Sequence, residues 1–126
     1  MLEPYLLRCS APKLIPEQLD AAEALLAEGH VHENAVTHAR RHWEFHQQLY
    51  CRAERPRTQA QVDVLYVIIS RYLLLAWTSA GLSEEWEHSH QDIVTSLRKD
   101  DVEGAAAMIQ KQIQQAAARV VKFFGH

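Results

Sequence analysis

The stretch His42-Trp43-Glu44-Phe45-His46 decides how the chain is read. Two imidazoles at i and i+4 stand one above the other on the same side of a helix. Ala35, Ala39, Leu49 and Tyr50 share that helical spacing, so both histidines are expected to face inward. A histidine pair on a buried stripe must be hydrogen-bonded, charged against a partner or ligated to a metal. The helix that carries it is expected from about Glu33 to Cys51, and the segments on either side of it also read as helices.

Upstream, Pro16 stands at the first position of a helix with Glu17 in its first turn, where the macrodipole favours an acid. Leu19, Ala22, Leu25 and Leu26 form its stripe, and Gly29 ends it. Ser10 to Pro16 is expected as a connector. Leu2 to Cys9 is helical, with Leu2, Tyr5, Leu6 and Cys9 as its inward stripe. No capping residue precedes it, which suggests that the helix originally began further upstream.

Downstream, Arg52 to Arg57 reads as a polar loop containing Pro56. A fourth helix, about Thr58 to Thr78, is apolar nearly all round, from Val62 through Tyr66 and Ile69 to Trp77. Asp63, Ser70 and Arg71 interrupt a run already shorter than the ~20 residues a membrane span needs. A helix apolar on every side is central in a bundle or covered by a second subunit. Here both are expected, the centre on one side and a dimer interface on the other. After a turn at Gly81, Ser83 caps a fifth helix whose stripe is Trp86, His90, Ile93, Val94 and Leu97. Asp100 or Asp101 caps the last, with Ala105, Ile109, Gln112, Ala116, Val120 and Phe123 on one side. The expected fold is an all-α, antiparallel bundle of about six helices forming one domain over residues 1–126.

Composition agrees with one compact domain: 126 residues, 48% hydrophobic, with four glycines and four prolines. A net charge of −3 gives no electrostatic reason for the chain to hold nucleic acid. Cys9 and Cys51 are too few for a disulfide framework and read as cytosolic, buried thiols. No signal peptide opens the chain, so a cytoplasmic location is expected. A glycine-rich phosphate loop, a serine on a sharp turn and a base beside either cysteine are all missing from the sequence, so nucleophilic catalysis has no support.

Three helices place a polar side chain where packing alone favours an aliphatic: His42 and His46, His90, and Gln112. Such groups converge in bundle interiors, where bundles build ligand and metal sites. Three neutral imidazoles suit zinc, nickel, cobalt or iron(II). The alternative is that each is a hydrogen-bonded polar residue of the core. Arg71 is either an ion-paired or snorkelling side chain or a bidentate clamp for a carboxylate. His30, His32 and His126 are expected at the surface. His38 could extend the ladder of His42 and His46, and His88 points away from His90.

The order of these segments resembles the FCD ligand-binding domain of GntR-type bacterial transcription regulators. Leu2-Glu3-Pro4 is similar to the LEP of the family's first helix, and Phe45-His46 with Leu49 to its D-x-x-F-H-x-x-L. His90 with Ile93, Leu97 and Asp101 follows H-x-x-I-x-x-A-I-x-x-G-D, and Met108 to Ile113 looks like A-x-x-x-M-x-x-H-L. The resemblance implies an all-α homodimer that follows a DNA-binding winged helix and senses a small metabolite, often a carboxylate. It also implies a metal held by an aspartate, a histidine four residues later and two further histidines. By position these fall on His42, His46, His90 and Gln112. The sequence departs twice, with histidine for the aspartate and glutamine for the last histidine, so a metal-free polar pocket is an alternative.

The leading expectation is an effector-sensing and dimerisation domain, not an enzyme. It is expected to take a small carboxylate, with Arg71 as a ligand-binding residue; zinc, nickel or a similar ion on those four residues is one way to hold it. DNA is expected to be reached only through an N-terminal domain absent from this chain. The alternatives are a small metal-dependent helical-bundle enzyme and a metal-free assembly module.

Overall fold

Apolar stripes become six helices in the computed structural model, which describes residues 2–27, 35–80 and 84–124. Within those segments the side chains of 2–26, 37, 40–68, 89–118, 121 and 122 are described. The helices are α1 (Leu2–Ser10), α2 (Pro16–Ala27), α3 (Ala35–Tyr50), α4 (Pro56–Ala80), α5 (Glu84–Arg98) and α6 (Val102–Phe124). Among the described residues there is no strand, and the fold is the expected all-α bundle. None of these helices is long and apolar enough to cross a membrane.

Pro16 and Pro56 each occupy the first position of a helix, where a fixed φ is preorganised and the missing N–H has no partner to lose. Pro56 therefore opens α4, and the loop ends at Arg55, two residues earlier than expected. The connector from Ser10 is shorter than expected, because α1 runs through Ser10 and a 3₁₀ turn fills Ala11–Lys13. The buried Ser10 hydroxyl accepts the Arg52 N–H at 3.1 Å, tying the end of α1 to the chain just after α3. Gly29, Gly81 and Ser83, the expected stop, turn and cap, lie outside the described residues.

The turn between α5 and α6 resolves which aspartate caps. Asp100 takes a left-handed φ of 60°, its N–H bonding to Leu97 O at 3.1 Å while Asp101 N–H reaches Ser96 O at 2.9 Å. This pair of bonds closes α5 in a Schellman arrangement. Asp101 then caps α6, Oδ1 accepting the Gly104 N–H at 3.0 Å. A Cβ at position 104 would meet that carboxylate where it now stands, so a larger residue there would require the Asp101 side chain to shift.

The core is built from Leu6, Leu7, Leu19, Ala22, Phe45, Leu49, Val62, Ile93, Val94 and Ile109, all buried. Helix α1 lies against α3, α4 and α6, and its rotation differs from expectation. Pro4, Leu6, Leu7 and Ser10 are buried, whereas Tyr5 is 43% exposed, its hydroxyl accepting from Arg55 at 3.0 Å. The fully buried positions are thus 4, 6, 7 and 10, with Glu3 turned inward beside them, while Leu2 and Cys9 are only half-buried against the core. Cys51 is exposed and Cys9 half-buried, so neither is the buried thiol expected. Helix α4 buries Val62, while Val64, Leu65, Val67 and Ile68 are between 46% and 62% exposed.

Removing the cap should be measurable without touching the core. Asp101→Ala is expected to lower stability by about 1 kcal/mol in urea unfolding. An unchanged midpoint would contradict the capping role.

Candidate metal centre

Helix α3 supplies two imidazoles because its stripe places residues 42 and 46 one turn apart, toward α5. His90 comes from α5, on the stripe that continues through Ile93, Val94 and Leu97, all buried. The three rings meet edge to face: centroids are 4.6 Å apart for His42 and His46, 5.2 Å for His42 and His90, and 5.4 Å for His46 and His90. Phe45 packs edge-on to both His46 and His90, at 5.5 and 5.3 Å. His46 and His90 are buried and His42 is half-buried.

The ligand atoms of His42, His46 and His90 all lie within 4.8 Å of one another. His46 Nε2 is 3.0 Å from His42 Nε2. Two imidazole nitrogens each about 2.1 Å from one ion stand roughly 3.0–3.4 Å apart. Two lone pairs cannot face each other at that distance without a proton or a cation between them. The cluster therefore fits a borderline divalent ion, and it also fits a shared proton. Burial and the neighbouring His90 hold the His46 pKa well below its ordinary value, so His46 keeps a neutral, ligating imidazole at neutral pH.

Gln112 sits on α6, its side-chain amide donating to Ser89 Oγ at 3.3 Å. That contact places it against the residue preceding His90. Its Oε1 is buried and has no hydrogen-bond partner among the described residues, which leaves an acceptor open to a further ligand. The side chain of Arg71 lies outside the described residues, as do those of His38 and His88. The same holds for His30, His32 and His126.

The sequence reading missed Glu3. Its side chain is 15% exposed, and Oε1 lies 3.8 Å from His46 Nδ1. The Tyr50 hydroxyl donates to the same oxygen at 2.8 Å and that of Tyr66 at 3.3 Å. The Tyr50 hydroxyl oxygen is in turn 3.3 Å from His46 Nδ1. Burial pushes the Glu3 carboxyl up, and the two phenols pull it partly back. Burial and the Glu3 charge push both phenols well up, so each remains a donor. The available signal was spacing: Glu3 precedes Leu6 and Leu7 by one turn, and Tyr50 follows His46 by four residues. Helix α4 adds Tyr66, stacked on Trp43 with centroids 4.2 Å apart.

A family model described as FCD domain matches residues 1–115. No curated protein and no solved structure matches the chain.

The His46 shift fixes the sign of a pH effect. The unfolded chain takes up a proton at His46 at higher pH than the folded one does. The stability contributed is therefore fully present above about pH 6.5 and is lost as pH falls below it. Glu3, shifted upward, acts in the opposite sense above its ordinary value of 4.5. In chelator-treated protein the melting temperature should fall from pH 7 to pH 5 less steeply in His46→Gln than in the parent chain. Equal slopes would contradict the burial of a neutral His46.

Proposed function

Because this chain belongs to the FCD domain family, we propose that it is the effector-sensing and dimerisation domain of a GntR-type transcription regulator, formed by residues 1–126. FCD domains are in general the effector-binding parts of such regulators and are regulatory, not catalytic. The observation that carries the reading is the buried convergence of His42, His46 and His90 within 4.8 Å. These three imidazoles hold a divalent ion such as zinc or nickel, with the buried Gln112 oxygen as a weak fourth donor. The ion supplies a Lewis-acidic position that takes a small carboxylate effector as a further ligand.

Charge supports a carboxylate. Three neutral imidazoles leave the whole charge of a divalent ion uncompensated by its ligands, and Glu3 offsets only part of it. Histidine at position 42 in place of an acid therefore makes the site more attractive to an anion. Arg71, on the helix next to α3, is proposed as a second anchor for that anion.

Dimerisation uses the outer side of α4, where Val64, Leu65, Val67 and Ile68 stand exposed within five residues. A contiguous exposed aliphatic patch of that kind marks an interaction surface. Effector binding biases the arrangement of the two subunits, and operator DNA is read by a winged-helix domain of the same cytoplasmic regulator. One observation favours a second reading. The 3.0 Å contact between His42 and His46 is satisfied by one proton, as a metal-free polar pocket requires.

Elemental analysis after dialysis against zinc should give one ion per chain, with His42→Ala, His46→Ala and His90→Ala each retaining far less. Parent protein without bound ion would remove the metal reading. Sedimentation should show a dimer at micromolar concentration and a shift to monomer in Val67→Asp; a monomeric parent would contradict the dimer surface.

A further inference from the structure

We propose that Glu3 is a positioning residue for the histidine cluster, acting through Tyr50 to hold the His46 proton on Nδ1 and leave the Nε2 lone pair facing the other imidazoles. Tyr50 has one hydroxyl proton, and the 2.8 Å contact gives it to Glu3 Oε1. Tyr66 donates to that oxygen too, at 3.3 Å, so the carboxylate faces two donors. The Tyr50 oxygen, 3.3 Å from His46 Nδ1, is then left to accept. Nδ1 must carry the proton, and Nε2 cannot.

The other side of the ring is consistent with this direction. His46 Nε2 lies 3.0 Å from His42 Nε2, and with the lone pair on His46 it is His42 that donates. An imidazole ligates through the nitrogen that lacks the proton, and a carboxylate behind the other nitrogen fixes the tautomer and raises ligand basicity. Among the described residues no lysine or arginine pairs with Glu3; its ion-pair neighbour is His46, 3.8 Å away. A buried carboxylate without a basic side chain is costly, and orienting the relay gives it a role. The relay spans three helices, with Glu3 on α1, His46 and Tyr50 on α3, and Tyr66 on α4.

The consequence for metal affinity rests on the metal reading above, but the proton position belongs to the metal-free protein. The two are therefore tested separately. In chelator-treated protein labelled with ¹⁵N-histidine, the imidazole signals of residue 46 are assigned by comparison with His46→Gln. The expected result is an N–H at Nδ1 and an unprotonated Nε2. Glu3→Leu frees the Tyr50 proton to turn toward Nδ1 and should move the His46 proton to Nε2. Glu3→Gln keeps a carbonyl acceptor and should preserve the parent tautomer. Zinc affinity, titrated against a competing chelator, should fall about 10–100-fold in Glu3→Leu and less in Glu3→Gln.

An Nε2–H tautomer in the parent protein overturns the inference whatever the variants do. So does a Glu3→Leu protein that folds, keeps Nδ1–H and binds zinc as the parent does. If the parent shows Nδ1–H but binds no zinc, the positioning role is supported and the metal reading alone falls.

Discussion

Imidazoles and a carboxylate taken out of water must be satisfied by one another, and the interior of this bundle is arranged around that constraint. His46 and His90 are buried, His42 half-buried, and Glu3 lies behind them. An uncompensated polar group in such a place costs on the order of 1–3 kcal/mol, and more when charged. The chain meets the cost with a connected series: Tyr66 and Tyr50 donate to Glu3, His46 Nδ1 meets the Tyr50 hydroxyl, and His42 meets His46 on its far nitrogen. Each contact uses a side chain from α1, α3 or α4, so the polar network and the helix packing specify each other.

That dependence explains which parts of the fold could be read from sequence. Stripes on α3 and α5 were legible because Phe45, Leu49, Ile93, Val94 and Leu97 are aliphatic or aromatic at unambiguous helical spacing, and all are buried. On α1 two stripes compete. Leu2, Tyr5, Leu6 and Cys9 look more apolar than Glu3, Leu6, Leu7 and Ser10, yet the second set faces inward. The deciding groups are Tyr50 and Tyr66, 47 and 63 residues away from Glu3, which no local pattern reveals. Helix ends behave similarly: the polar run from Arg52 to Arg57 suggests a loop, although the geometry of Pro56 suits a helix start.

The site was legible in part for the same reason. His42, His46 and His90 stood out as polar residues on apolar stripes, and the structure brings those three together. Gln112 stands out equally, and its amide nitrogen bonds to Ser89 beside His90. Glu3 was hidden because a charged residue in the first turn of a helix reads as a favourable dipole partner at the surface. The outer side of α4 is the converse case. Its all-round apolarity signalled a second use, and Val64, Leu65, Val67 and Ile68 are the side chains that the monomer leaves in water.

The central claim is that the three imidazoles form one site for a divalent ion. Anomalous scattering at the zinc edge from crystals grown with zinc tests it most directly. One peak per chain is expected, about 2.0–2.1 Å from a nitrogen of each of His42, His46 and His90. A crystal with zinc bound only at surface residues, and the His42 to His46 contact unchanged, would contradict it.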